Sequence, residues 1–485
     1  MAMPRNVSEL DGIVSIVNAT SQGGDVSDSV DADPPNVGII FHENSSVAVA
    51  VTGGSPPAQN TSNSHQLLIS EKPIMNGTIS NVSDSNPRLP GPDGGVRGSM
   101  ILDTEPKHTI SCNVSEHRSD ICDMVGDVRV QGNLATVLFA SSPDTDPSVR
   151  NRTWTIRPYA RKSDQTVMAH VRSVTLKSSP TARPHCDVNH TVPAIVFSDI
   201  GYTGNFFHDF TDVLIPLFLT AREFRGEVQF MATGSKQWWL NKYAHVFRAL
   251  SNYEVLDFDK DPRTHCFPRA LVGLRCHKEL SIDPARAPYG YTMSDFRAFL
   301  RGAYALNRSV TAGARAPRLL IVARKHTRSF VNLESVVRAA KKAGFEAVMM
   351  EAEVTTSVAE VARTVNSCDA MMGVHGAGLT NFLFLPMGAT LVQIVPWGGL
   401  EGICANDFGI PASDSKINYF EYKISKEEST LLDIYPSDHA VFKDPMSIHK
   451  KGWGAVAEVF LKQNVKLDVR RFRPVLKKAF KSLQG

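Results

Sequence analysis

The sequence predicts an α/β protein in which two Rossmann-like halves face each other across a cleft, preceded by a disordered N-terminal stem. Three observations carry this. Strand, loop and helix patterns alternate in two series, one from residue 192 and one from residue 318. A break rich in small residues, TAGARAPR (311–318), separates them. The first hundred residues match neither series. A length of 485 residues suits two or three units. The expected division is a stem at 1–105, a first Rossmann-like half at 106–310, a second at 311–445, and C-terminal helices at 446–485 that pack back across both.

Residues 1–105 are rich in Ser, Asn, Asp, Gly and Pro and cannot bury enough apolar surface to offset chain entropy. Six of the nine asparagines in the first hundred residues head an Asn-x-Ser/Thr triplet: Asn6, Asn18, Asn44, Asn60, Asn76 and Asn81. Asn113, Asn151, Asn189 and Asn307 follow, a density that suggests a glycosylated luminal stem. Seven cysteines permit three disulfides and one leftover thiol; Cys112 and Cys122 lie ten apart, as do Cys266 and Cys276. No CxxC pair occurs, so a zinc site is not expected. These features point to an oxidising secretory compartment. No stretch of ~18 uninterrupted apolar residues is found to span a bilayer, and 382–400 is broken by Pro386 and Pro396. The membrane anchor of such a luminal protein is therefore expected to be missing from this chain.

A net charge of +3 does not imply nucleic-acid binding. Charge is uneven, however: residues 1–100 hold ten acids against four bases, and 466–481 holds seven bases and one acid, Asp468. The basic tail reads as the solvated face of packed C-terminal elements.

From Cys112 onward the pattern is globular. GDVRVQG and ATVLFAS alternate as strands, and RTWTIRPYARK stays extended. VPAIVFS is a strand and GNFFHDFTDVLIPLFLTAREF a helix; EVQFMA, SKQWWLNKYAHVFRAL and YEVLDFD complete a βαβαβ half. The second series runs RLLIVAR, LESVVRAAKKAG, FEAVMM, SVAEVARTVNS, DAMMGV and ATLVQIVP.

Three clusters carry candidate chemistry. DAMMGV ends at His375, followed by Gly376, Ala377 and Gly378 and a predicted helix from AGLTNFLF. A helix start beside glycines suits a diphosphate, with His375 donating to it; a structural turn beside a core histidine is the bland alternative. Arg324 and Arg328 follow another strand of the same half, and Asn332 stands where a helix cap would. In the first half His208 and Asp212 are i,i+4 neighbours with Asp209 between them, a candidate base for activating a hydroxyl or a satisfied helix pair. Neither GxGxxG nor GxxxxGK[ST] occurs in the expected places, which disfavours dehydrogenase and P-loop chemistry.

The blocks CNVSEHRSDICDMVGDVRV, WTIRPYARKSD, FSDIGYTGNFFHDFTDVLIPLF, YEVLDFDKDPRTHCFPRALVGL, GVHGAGLTNFLFLPMGATLVQIVPWG and DPMSIHKKGWGAVAEVFLKQNVKLDVRRF resemble plant glycosyltransferase family 61, in order over about 110–475. The likeness is greatest to its xylan-modifying branch. It implies a GT-B type inverting enzyme of the Golgi that moves arabinofuranose or xylose from a UDP-sugar to xylan, with no obligatory metal cofactor and no nucleic-acid partner. By resemblance, His375, Gly376, Ala377, Gly378 and Arg324 hold the UDP diphosphate, assisted by Arg328 and Asn332. Asp212 is the preferred base, with His208 and Asp209 as alternates. This chain reads NLE where the family has Asn-Glu, so Glu334 is given no role. An N-glycan acceptor and a non-catalytic carbohydrate binder are the alternatives.

Overall fold

The computed structural model describes residues 108–484 apart from 144, 312, 314, 315 and 352–355. The expected stem at 1–105, with its six glycosylation acceptors, lies outside the described residues, as do residues 312, 314 and 315 of the TAGARAPR break. The four later acceptors, Asn113, Asn151, Asn189 and Asn307, are all exposed.

The first sheet has ten strands: β1 (Thr109–Asn113), β2 (Ile121–Gln131), β3 (Thr136–Ala140), β4 (Thr153–Ile156), β5 (Val174–Ser179), β6 (Val188–Asn189), β7 (Ala194–Ser198), β8 (Gln229–Thr233), β9 (Leu256–Asp257) and β10 (Thr264–Gly273). Its order is β4-β5-β3-β2-β10-β7-β8-β9, with β1 on β2 and β6 on β10. The expected βαβαβ series is its parallel part, β7, β8 and β9. The sequence reading had no place for β10, which runs parallel to β7 and antiparallel to β2 and so joins the two kinds of strand. Pro268 concealed it: a proline argues against a central strand, and the ladder accommodates this one by a register shift between Phe267 and Arg269.

The second sheet is wholly parallel: β11 (Arg318–Val322), β12 (Glu346–Met350), β13 (Ala370–Val374), β14 (Thr390–Val395) and β15 (Asn418–Lys423). Its order, β12-β11-β13-β14-β15, reverses direction between β11 and β13. Doubly wound sheets bind ligands outside the carboxyl ends of the strands at such a reversal. The half-exposed β15 escaped the sequence reading because its residues alternate too weakly to look like a parallel strand.

One buried apolar cluster runs through both halves, from Phe210 and Phe218 to Leu320, Phe382 and Leu391. A second cluster seats the last helix, Val469–Lys481, through Phe472, Leu476 and Ala479 against the helix Leu333–Lys342, β14 and β15. Its outward bases, among them Arg470, Arg473 and Lys477, are exposed.

Two helices depart from α geometry at equivalent places. After Phe206–His208 the chain widens into a π-helical stretch, Asp209–Leu214, before the α-helix Ile215–Ala221. After Glu401–Cys404 it does so again at Ala405–Gly409, before Ile410–Asp414. Each following helix has proline second, Pro216 and Pro411. Proline has no N–H for the carbonyl four residues back and crowds it. Those residues are Asp212 and Asp407. The wider turn relieves the conflict, and π turns are frequent at functional sites.

Candidate active site

On the second sheet, β11 runs into the loop bearing Arg324 and Arg328, while the adjacent β13 delivers His375. Both loops thus leave the reversal point. Arg324 folds back through Nε to the Thr327 carbonyl at 2.8 Å. Arg328 is buried, has a left-handed backbone (φ 55°), and donates from Nη1 to the His375 carbonyl at 3.1 Å. The loop is anchored by the returning C-terminal segment, with Arg328 N–H on the Gln463 carbonyl and Val331 N–H on that of Val465.

Gly376 lies under both guanidinium groups. With φ +145° it suits glycine, and a β-carbon there would stand 2.9 Å from Nη1 of Arg324 and 2.9 Å from Nη1 of Arg328. Gly378 approaches the end of β11, where a β-carbon would meet Val322 at 3.3 Å. Ala377–Phe384 forms a 3-10 helix rather than the expected α-helix, its first bond running from Leu379 N–H to the Gly376 carbonyl. Two guanidinium groups converging beside an imidazole suit an anion with paired oxygens.

His375 is buried at 5% exposure. Its Nδ1 lies 2.8 Å from Gln393 Nε2 on β14, and its Nε2 faces Asp407 Oδ2 at 3.9 Å. Burial, then Glu279, push the Asp407 carboxyl up to about 7 against the pull of Asn406, Arg161 and Arg118.

On the first half, Asp212 is fully buried and accepts from four groups: Tyr159 Oη at 2.9 Å, His208 Nδ1 at 2.9 Å, Arg118 Nη2 at 2.9 Å and Arg161 Nη1 at 3.1 Å. Burial alone would raise its pKa, but Arg161, His208 and Arg118 outweigh it and hold the carboxyl down to about 2. Both arginines also meet Glu279. Asp212 was expected to be the base. A carboxylate clamped by two cations and closed to solvent is a poor proton acceptor, and it accepts from His208 Nδ1. Asp209 fares no better: Trp239 Nε1, Lys242 Nζ, Tyr243 Oη and Gly204 N–H surround it. His208 keeps 16% of its side chain exposed, with Nδ1 occupied by Asp212.

The halves meet at this point. The rings of His208, Phe207, Phe408 and His375 follow one another at centroid spacings of 5.4, 5.6 and 5.6 Å.

Asn332 stands at the N-cap of the helix Leu333–Lys342, as expected, but its amide makes no cap bond; Nδ2 donates to the Leu467 carbonyl and Oδ1 accepts from Leu467 N–H, so it ties down the C-terminal segment. Glu334 pairs on an exposed helix face with Arg338. Of the cysteines, Cys112–Cys122 and Cys186–Cys266 are bridged, whereas Cys276, Cys368 and Cys404 are buried thiols. Cys276 therefore does not pair with Cys266. Among the described residues no group of three or more His, Cys, Asp or Glu is placed to hold a metal, and no helix is long and apolar enough to cross a membrane.

The sequence reading missed Arg118, Arg161, Tyr159, Glu279, Asp407, Gln393 and Tyr419. Arg118 and Arg161 lie 94 and 51 residues from Asp212, so no spacing rule connects them. The proline four residues after each site aspartate was the one local signal.

An α/β fold with two guanidinium groups over a strand-end glycine turn suits group transfer from an anionic donor. The profile described as Glycosyltransferase 61 matches residues 206–392, which include His208, Asp212, Arg324 and the His375–Gly378 turn. The rice (Oryza sativa subsp. japonica) Alpha-1,3-arabinosyltransferase XAT3 is 45% identical over 89% of this chain and 74% of its own length. The rice Beta-1,2-xylosyltransferase XYXT1 is 40% identical over 86% of this chain and 94% of its own. Another rice relative, Alpha-1,3-arabinosyltransferase XAT2, is 48% identical over 75% of this chain and 63% of its own. The chain belongs to glycosyltransferase family 61.

Proposed function

We propose that the protein transfers a pentose, arabinofuranose or xylose, from a UDP-sugar onto xylan with inversion, as a GT-B type enzyme of the Golgi. The observation that carries this reading is the convergence of Arg324 and Arg328 on Gly376, beside His375, at the reversal point of the parallel sheet. The names of the rice relatives supply the sugar class, and that of an Arabidopsis thaliana relative, Xylan glycosyltransferase MUCI21, supplies the acceptor. The donor diphosphate lies against the two guanidinium groups, with the pentose toward the other half. Asp212 holds the His208 Nδ1–H, which turns the Nε2 lone pair outward. An acceptor hydroxyl attacks the anomeric carbon from the face opposite the diphosphate and gives its proton to Nε2. The bond to the diphosphate breaks as the glycosidic bond forms, and UDP leaves with the electron pair. The arginines stabilise the charge that grows on it.

Arg324→Ala is expected to lower turnover with a xylo-oligosaccharide and UDP-arabinofuranose or UDP-xylose by about 10²–10³-fold, with an unchanged thermal midpoint. Wild-type turnover in that variant would remove Arg324 from the site. If the purified wild-type protein binds UDP but forms no product with either donor, it is a binder.

A further inference from the structure

His375 has two ring nitrogens, and a neutral imidazole carries its proton on one of them. Which nitrogen carries it decides whether the ring can donate to a diphosphate or repels it. The surroundings of Nδ1 settle this. Gln393 is fully buried in β14, where an amide with unmet hydrogen bonds would be costly. Its Oε1 accepts from Tyr419 Oη at 2.7 Å, across from the neighbouring β15. That bond turns its Nε2 toward His375 Nδ1, 2.8 Å away. An amide NH2 can only donate, so Nδ1 is the acceptor and the ring proton belongs on Nε2. On the Nε2 side stands the carboxyl of Asp407 at 3.9 Å, an acceptor that favours the same assignment.

We propose that Gln393, held by Tyr419, is a positioning residue that fixes His375 in its Nε2–H form and so makes it a neutral donor to the leaving diphosphate. Burial pushes the Tyr419 hydroxyl well above its ordinary range, so it stays protonated and keeps donating. The inference rests on the assignment of the donor diphosphate to the His375 turn. Among the described residues, the charged and titratable groups near this turn include Arg324 and Arg328 from the loop after β11 and Asp407 from the helical segment after β14, with Cys404, Tyr419 and Glu421 interacting behind them.

Gln393→Glu tests it. A carboxylate at this place accepts instead of donating, so it draws the proton to Nδ1 and leaves the Nε2 lone pair facing the diphosphate. At pH 8 the variant is expected to lose on the order of 10–100-fold in kcat/KM for the UDP-sugar, the effect of one hydrogen bond to a charged group. Most of the loss should be recovered as the pH is lowered far enough for the ring to carry a proton on both nitrogens. An unchanged pH profile would overturn the role. Tyr419→Phe, which removes only the hydroxyl, should shift activity in the same direction by less and covers the case in which Gln393→Glu does not fold. The second readout needs no activity. In the ¹⁵N-histidine spectrum of the wild-type chain without donor, His375 should show a protonated Nε2 and a bare Nδ1 above its titration. A protonated Nδ1 there overturns the relay itself, whereas a correct tautomer with a normal pH profile in Gln393→Glu overturns only the link to the diphosphate.

Discussion

Asp212 and Asp199 are both closed to solvent, yet their charges are treated in opposite ways. Arg118 and Arg161 surround Asp212, so its charge is favoured in the folded chain. Asp199, at the end of β7, accepts the Lys236 N–H at 2.7 Å through Oδ2, while its Oδ1 has no partner among the described residues. Burial pushes its carboxyl up to about 7. The linkage signs follow. Asp212, with a depressed folded pKa, contributes stability that is present above about pH 4 and lost as pH falls toward 2. Asp199, with a raised one, contributes stability that is present below about pH 4 and lost as pH rises through 7. Asp199→Asn keeps the bond to Lys236 and is expected to stabilise the protein at pH 8 by on the order of 2–4 kcal/mol, with little change at pH 4. Thermal melts at the two pH values check this, and equal gains at both would remove the charge from the explanation. Asp212→Asn leaves two buried guanidinium groups short of an anion and should cost roughly 3–5 kcal/mol as well as turnover.

At the scale of elements, the helix that follows β7 and the one that follows β14 repeat one device. A proline forces a π turn, the turn carries an aspartate, and the two turns meet through Phe207 and Phe408. The pattern D-x-x-I-P stands in the sequence as DVLIP and DFGIP. It was missed because the first copy reads as an ordinary amphipathic helix and the second lies in a stretch to which no element was assigned. The Gly376 turn was legible, since two close glycines after a buried strand imply a tight backbone turn. The form of the helix beyond it was not, because 3-10 and α geometry differ by tertiary contacts that periodicity does not record. Gly376→Ala places a methyl group against both guanidinium groups and strains the backbone. It is expected to raise the KM for the UDP-sugar at least about tenfold, the effect of a misplaced positioning group. An unchanged KM would mean that the arginines do not contact the donor.

Across the whole molecule, the two sheets do not behave as separate bodies. Arg297, fully buried on the helix Met293–Ala303, donates to the carbonyls of Leu383, Leu385, Pro386 and Ser415, which close the segment beyond the His375 turn. Lys278 and Ser281 of the first half bind Asp414 of the second at 3.1 and 2.6 Å. With the shared apolar cluster, these contacts predict a single unfolding transition in urea. Arg297→Met strips four carbonyls of their donor and should lower stability by about 3–5 kcal/mol. Two separated transitions in the wild type would contradict the coupling of the halves.

Local pattern was enough to establish seven of the parallel strands, β7–β9 and β11–β14, the position of the His375 turn at a strand end, the arginine loop and the family resemblance. Each depends on neighbours a few residues apart, and apolar runs, glycines and strand-end charges declare themselves at that range. Folding alone decided which carboxylate keeps its charge, which imidazole nitrogen faces outward, and that Asn332 serves the C-terminal segment. Those outcomes depend on burial and on partners many tens of residues away, such as Arg118 on Asp212 and Leu467 on Asn332. An ionisable group takes its chemistry from the dielectric and charges around it, and the chain assembles those only when it closes.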